Sequence, residues 1–381
     1  MQKKTKLLKP IIKGAKKPFK AFKVFLKQKA GWLGRPKILV YRSFGTDKEV
    51  FIQGMVIEDK GLAKPEDRHK VWHNILAMIK RFSSDEIPGV RIKAEFHGLN
   101  QVTVTDESGF FDFHFNIENL PDEILKKHWH SVNLLLLDEL IEDQPVISAT
   151  GEVRIISSTE GRIIVSDIDD TVLISHSTQT FRKLRLMLLK NALTRLPFRG
   201  VSSFYQALER GSDRIALYPF FYVSSSEWNL YDLLENFFDH NGLPKGVFML
   251  RRLEHSILKF WKSGQGNHEH KYEKIKFLLG LFKNHRFILI GDSGQKDPEI
   301  YNRLAHDFPG RIESIYIRKI GTKVFFKDIE QVTSRLEKVK THYLQVENTK
   351  DAAEHAIKEG YINKELYREY SQVKDPEKVR L

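Results

Sequence analysis

Between residues 161 and 320 the chain repeats one pattern: a short apolar run, a small polar cluster, then a longer stretch of mixed character. The runs are RIIVSD (162–167), YPFFYVSSS (218–226), KGVFML (245–250), HRFILIGD (285–292) and IESIYIR (312–318). Apolar runs without alternation fit strands buried on both faces, and the mixed stretches between them have helical length. Alternating strand and helix predicts an α/β domain with a doubly wound, mostly parallel sheet. In such a sheet the ligand crevice lies beyond the carboxyl ends of the strands.

Residues 37–157 read differently. KILVYRSFG, EVFIQGMVIE, VRIKAEFHG, NQVTVTDESGFFDFHFNI and VISATGEVRII alternate or are rich in β-formers, with glycine or polar turns between them. TDESGFFDF reads as a tight turn in which Gly109 takes the unusual dihedral angles. Trp72, Ile75, Leu76 and Ile79 follow a helical stripe. The expectation is a mostly-β, sandwich-like accessory domain with one helix and no catalytic cluster. It would be preceded by an arm (1–36) and followed by the α/β domain (161–325) and a helical tail (326–381).

The polar residues of the α/β region gather where a crevice would form. The first strand ends on Asp167, with Asp169, Asp170 and Thr171 directly after it; the second ends on Ser224, Ser225 and Ser226. The fourth ends on Gly291 and Asp292, Asp297 follows five residues later, and Lys271 opens the helix before that strand. Like charges clustered at the end of a buried strand are costly without a cation to neutralise them, and a divalent metal answers that need. For the first stretch alone, a solvated acidic turn is the competing reading. Convergence of four separate segments on one edge weighs against it.

In this order these segments resemble the four motifs of the haloacid-dehalogenase-type phosphatase superfamily: DIDDT, the Ser224 strand end, Lys271 and GDSGQKD. The longer stretches SDIDDTV, FFYVSSSEWNLYDLL, HKYEKIKFLL and FILIGDSGQKDPEIY are similar to the actin-patch-type phosphatidate phosphatase family. The resemblance spans roughly residues 37–325 and implies a HAD-like catalytic domain with a small cap, inserted at about 174–215. Two positions depart from it: Glu227 stands where proline is expected, and Arg252 where an acidic residue is expected.

The resemblance implies a magnesium-dependent phosphoric monoester hydrolase. Asp167 is the expected nucleophile, forming an aspartyl-phosphate. Asp169 is the expected acid and then base, with its backbone carbonyl, Asp167 and Asp292 giving oxygens to Mg2+. Asp297 would orient a water at that metal. Lys271 and Ser224, with Thr171 and Ser225 beside them, would hold the phosphate oxygens. A plain buried salt bridge is the alternative role for Lys271.

Composition adds constraints. The 381 residues include no Cys, which excludes disulfides, thiolate metal sites and cysteine nucleophiles. The net charge of +13 is concentrated in residues 1–36, which hold eleven Lys, one Arg and no acidic residue. Phe19, Phe22, Phe25, Leu26 and Trp32 lie among those lysines, so the arm is expected to meet an anionic membrane surface; a disordered solubilising tail is the alternative. The cap stretch repeats the mixture, with Arg182, Lys183, Arg185, Lys190 and Arg195 among leucines. It suits a phosphate at a lipid interface, and equally an ordinary amphipathic helix.

With no run of membrane-spanning or signal-peptide length, a cytoplasmic protein peripheral to the inner face of the membrane is expected. His255, His268 and His270 lie near Lys271 but lack metalloprotease spacing, so zinc is not expected there. The favoured reaction is hydrolysis of phosphatidate to diacylglycerol. The alternatives are a soluble phosphomonoester or phosphoprotein substrate, and a membrane- or nucleic-acid-tethering module. Complete motifs argue against a retired site, and nucleic acid is the less favoured partner. Sequence leaves the oligomeric state open.

Overall fold

The computed structural model describes residues 24, 26–59, 85–118, 120–159, 161–168, 200–251, 269–320 and 329–373. The helix expected at 72–79, most of the basic arm, the cap stretch up to residue 199, and Asp169 and Thr171 lie outside the described residues. Contacts divide the chain into two units, Met1–Ser157 and Ser158–Leu381.

The first unit contains β1 (Pro36–Val40), β2 (Ser43–Thr46), β3 (Glu49–Glu58), β4 (Arg91–Phe96), β5 (Leu99–Val104), β6 (Phe110–Asn116), α1 (Asp122–Leu125), β7 (Trp129–Leu136) and β8 (Ser148–Ile156). All eight strands join one hydrogen-bonded sheet in the order β1-β3-β2-β8-β7-β4-β5, with β6 also on β3. Two facing sheets were expected. They are joined because the four-residue β2 pairs antiparallel with β3 on one side and parallel with β8 on the other.

Strand alternation decides which residues enter the core. Ile92, Ala94 and Phe96 of β4, Phe111, Phe113 and Phe115 of β6, and Val132, Leu134 and Leu136 of β7 all bury into one cluster. Gly109 adopts the expected positive φ of 72° at the turn before β6, and a Cβ there would meet the Val56 carbonyl at 2.7 Å. The turn does not close a hairpin, since β5 pairs with β4 and β6 pairs with β3.

The described end of the basic arm belongs to this unit. Val24 and Leu33 are buried in its core, and Lys27 Nζ reaches Asp85 Oδ2 at 2.6 Å and Glu58 Oε2 at 2.9 Å. Its hydrogen bond to Asp85, reinforced by Glu58, raises the Lys27 pKa against the effect of burial. That charge is therefore engaged within the protein. Trp32, by contrast, is 79% exposed.

The second unit contains β9 (Gly161–Asp167), α2 (Val201–Arg210), β10 (Phe220–Glu227), α3 (Tyr231–His240), β11 (Val247–Arg251), α4 (Glu269–Leu281), β12 (His285–Asp292), α5 (Asp297–Asp307), β13 (Ile312–Arg318), α6 (Ile329–Lys338), β14 (His342–Val346), α7 (Thr349–Lys358) and α8 (Lys364–Val373). Its six strands pair parallel throughout, in the order β11-β10-β9-β12-β13-β14. The five apolar runs are five of these strands, each buried because both faces are covered.

The sixth strand corrects the reading of residues 326–381 as a helical tail. HYLQV pairs with β13 at the edge of the sheet, where partial exposure dilutes the apolar signal that marked the other five. Helix α2, at the end of the expected cap insert, packs into the body of the unit. The Phe204 ring meets Tyr316 edge-on, and Ser203 Oγ donates to the Tyr370 carbonyl at 3.0 Å. Among the described residues no helix is long and apolar enough to cross a membrane.

Candidate active site

Strand order reverses between β9 and β12, the kind of point at which open parallel sheets hold ligands. Pairing of Ile290 with Ser166 sets Gly291 and Asp292 level with and just beyond Asp167. Val223 pairs with Asp167 on the other side, so Ser224 follows at the next position. Register alone therefore brings three of the sequence motifs to one edge.

Side chains complete the cluster. Carboxylate oxygens of Asp167, Asp292 and Asp297 lie within 4.8 Å of one another, and all three residues are fully buried. Lys271, in the first turn of α4, places Nζ 2.7 Å from Asp167 Oδ1 and 2.7 Å from Asp297 Oδ1. Burial alone would lower the Lys271 pKa, but Asp167, Asp297 and Asp292 outweigh it and hold it above the ordinary lysine value. The side chain is an ammonium.

Backbone donors and a close approach fix the carboxylates. Gly294 and Gln295 donate their backbone N–H groups to Asp292 Oδ1. Asp297 opens α5, where a carboxylate also complements the helix dipole. Its approach to β12 requires Gly291, since a Cβ there would lie 2.7 Å from Asp297 Oδ2 and 2.8 Å from Tyr301 Cε2. Ser166 Oγ donates to the Asp167 carbonyl at 2.8 Å and meets the Tyr205 hydroxyl at 2.7 Å.

Lys271 touches Asp167 and Asp297, and Arg318 adds a second positive charge that interacts with Asp292, so two cations face three buried carboxylates. A hard oxygen donor set of this kind fits a divalent cation such as magnesium, which keeps several waters and needs few protein ligands.

Residues 162–319 match the family model described as the catalytic domain of the phosphatidate phosphatase APP1. Over these residues the chain is similar to that family. An uncharacterized protein of Schizosaccharomyces pombe is 27% identical over 277 residues, 71% of this chain and 43% of that protein. Phosphatidate phosphatase APP1 of Saccharomyces cerevisiae is 31% identical over 155 residues, 41% of this chain and 25% of that protein. The chain thus spans less than half the length of either relative. Among solved structures, an immunoglobulin-like domain of the M. primoryensis ice-binding adhesin aligns with 32% of this chain and 97% of its own, at 10% identity and a TM-score of 0.18. A score that low assigns no fold.

Within the matched region, Asp167, Lys271, Asp292 and Asp297 come together. Ser224 and Ser225 lie in the second half of β10, just past the Val223 that pairs with Asp167: Ser224 Oγ accepts from the Ser226 N–H at 2.8 Å, and Ser225 Oγ lies 3.3 Å from His270 Nε2. Two residues of the site escaped the motif reading. Gln295 accepts from Lys271 Nζ at 3.2 Å. Lys274, buried one helical turn after Lys271, donates to the carbonyls of Ser224 at 3.2 Å and Met249 at 2.7 Å, tying the ends of β10 and β11. The i, i+3 spacing of the two lysines in HKYEKIK was the available signal.

Proposed function

We propose that the protein is a magnesium-dependent phosphomonoester hydrolase of the haloacid-dehalogenase type, with phosphatidate as substrate and diacylglycerol and phosphate as products. The observation that carries this reading is the buried cluster of Asp167, Asp292, Asp297 and Lys271 at the reversal of strand order. The match to the APP1 catalytic domain and the activity named for the yeast relative support the reaction and the lipid substrate.

Asp167 is the nucleophile. Its carboxylate forms a new O–P bond as the P–O bond to the leaving alkoxide breaks, giving an aspartyl-phosphate. Asp169, beyond the described residues, donates the proton that the alkoxide takes up. It then accepts one from the water that attacks phosphorus and frees Asp167. Lys271 steadies Asp167 and Asp297 before reaction and offsets negative charge that builds on the phosphoryl group. Asp167, Asp292 and Asp297, with the Asp169 carbonyl, would hold Mg2+, whose charge neutralises phosphate oxygens.

Parallel assays on phosphatidate in mixed micelles and on a panel of soluble phosphomonoesters, with and without magnesium, test this directly. Magnesium-dependent release of phosphate, fastest from phosphatidate, is expected. Faster turnover of a soluble ester would replace the lipid substrate, and no turnover of any ester would remove the hydrolase reading. Removing residues 1–23 tests the membrane role of the arm: binding to anionic vesicles should fall while hydrolysis of a small soluble ester persists.

A further inference from the structure

Away from the catalytic carboxylates, the amino end of the sheet carries a second group of ligating side chains. His342 opens edge strand β14 and pairs with Ser314, near the start of β13. It therefore sits at the end of the sheet opposite Asp167 and Asp292, which terminate their strands. His355 lies on α7 and Glu359 follows four residues later as its C-cap, so both project from one side of that helix end.

The separations are informative. His342 Nε2 lies 3.5 Å from Glu359 Oε2, and His355 Nε2 lies 3.9 Å from Glu359 Oε1. Both exceed the 2.7–3.2 Å of an ordinary N–H···O hydrogen bond. Donors at about 2.0–2.1 Å from a tetrahedral zinc ion stand about 3.4 Å apart. The three ligating atoms lie within 4.8 Å of one another, so the widest separation closes by at most about 1.4 Å to reach that spacing.

The outer contacts fit as well. His355 Nδ1 is engaged by the Tyr316 hydroxyl at 2.9 Å, which orients the ring and leaves Nε2 facing His342 and Glu359. A second-sphere partner on the far nitrogen is a regular companion of metal-bound histidine. His342 is 47% exposed, so one side of the group is open to solvent and to a fourth ligand. Two imidazoles and one carboxylate favour a borderline-soft ion over magnesium.

We propose that His342, His355 and Glu359 form a second metal site that binds a divalent ion of the zinc class and clips edge strand β14 to helix α7. The ion ties the start of the strand to the far end of the helix that follows it in the chain, and its role is to stabilise the C-terminal part of the unit.

Zinc itself is the probe. Full-length protein dialysed against zinc with excess magnesium, which occupies the carboxylate centre, should retain one equivalent by elemental analysis. Cobalt(II) at the same site should give the intense visible bands of four-coordinate nitrogen ligation. Zinc should raise the thermal midpoint of the wild type. H342N and E359Q, both at partly exposed positions, should each lower zinc affinity at least about tenfold and abolish that rise, with unchanged circular dichroism in EDTA. D292N should retain the zinc. The proposal is overturned if the wild type keeps no zinc, if H342N and E359Q bind as tightly as the wild type, or if D292N alone loses it.

Discussion

Lys271 Nζ stands 2.7 Å from Asp167 Oδ1, with both side chains sealed from solvent. The ammonium touches the oxygen-bearing group that would attack phosphorus, and its second contact, to Asp297, keeps it from turning away. Asp167, Asp297 and Lys271 thus share one arrangement of buried ion pairs.

Replacing Lys271 by Met leaves three buried carboxylates without their ammonium. Removing one partner of a buried ion pair costs about 3–5 kcal/mol. Urea unfolding should show a loss of that order in EDTA, partly recovered in magnesium because a bound cation takes over some of the neutralisation. An equal loss in both buffers would mean that no cation shares this site with Lys271.

Asp167→Asn keeps the shape and an oxygen for Lys271 but removes the nucleophilic charge. Phosphatase turnover should fall by on the order of 10³-fold or more while the thermal midpoint stays close to that of the wild type. Stopped-assay phosphate release and calorimetry measure the two halves. Retention of a tenth of the activity would take Asp167 out of the nucleophile role.

Metal removal should stop the reaction. Exhaustive EDTA treatment followed by dialysis should abolish turnover, and magnesium should restore it better than calcium, which is larger and prefers more ligands. Titrating either ion back into stripped enzyme gives the comparison, and undiminished activity after stripping would contradict the site as described.

Gly291→Ala introduces a methyl group 2.7 Å from Asp297 Oδ2 and 2.8 Å from the Tyr301 ring. Overpacking of this kind costs about 1–3 kcal/mol. Because the displaced atom belongs to Asp297, the variant should also need more magnesium for half-maximal activity. A shift in stability with an unchanged magnesium requirement would separate Gly291 from the site.

The first unit carries an acid-sensitive pair. His130 Nε2 donates to the Lys127 carbonyl at 2.8 Å, so its Nδ1 must accept from His97 Nε2, 2.9 Å away. Burial lowers both pKa values below the ordinary 6.5; the Lys127 charge adds to this at His97, whereas at His130 the hydrogen bond to the Lys127 carbonyl opposes it without reversing it. A folded pKa below the unfolded one contributes stability that is present above pH 6.5 and lost as pH falls through the folded value. Ring-proton NMR should place His130 below 6.5, and urea midpoints should drop between about pH 7.5 and pH 5. A His130 titration at or above 6.5 would refute the assignment.

Parallel strands declared themselves in the sequence because burial on both faces makes them uniformly apolar, as in RIIV and FILI. Asp167, Lys271, Asp292 and Asp297 were legible for a related reason: charged residues at the ends of such runs stand out. HYLQV did not, since an edge strand is half-exposed and its flanks are as polar as a helix surface. Gln295 acts through a bond to a group distant in the chain, which no local pattern encodes, and the spacing that marks Lys274 does not reveal its bonds to the ends of two strands. Lys27 looked like one more charge of a basic arm until packing brought Asp85 and Glu58 to it.

Reversal of strand order between β9 and β12 gives Asp167 and Asp292 to the two innermost strands of a six-stranded sheet. Backbone amides of such strands exchange with solvent only when the whole unit opens. Heat should therefore destroy the carboxylate cluster and the sheet in a single event, without an intermediate that keeps its fold and loses its chemistry. Any control over turnover would then have to act elsewhere than on Asp167 and Asp292, which have no looser state to visit short of unfolding.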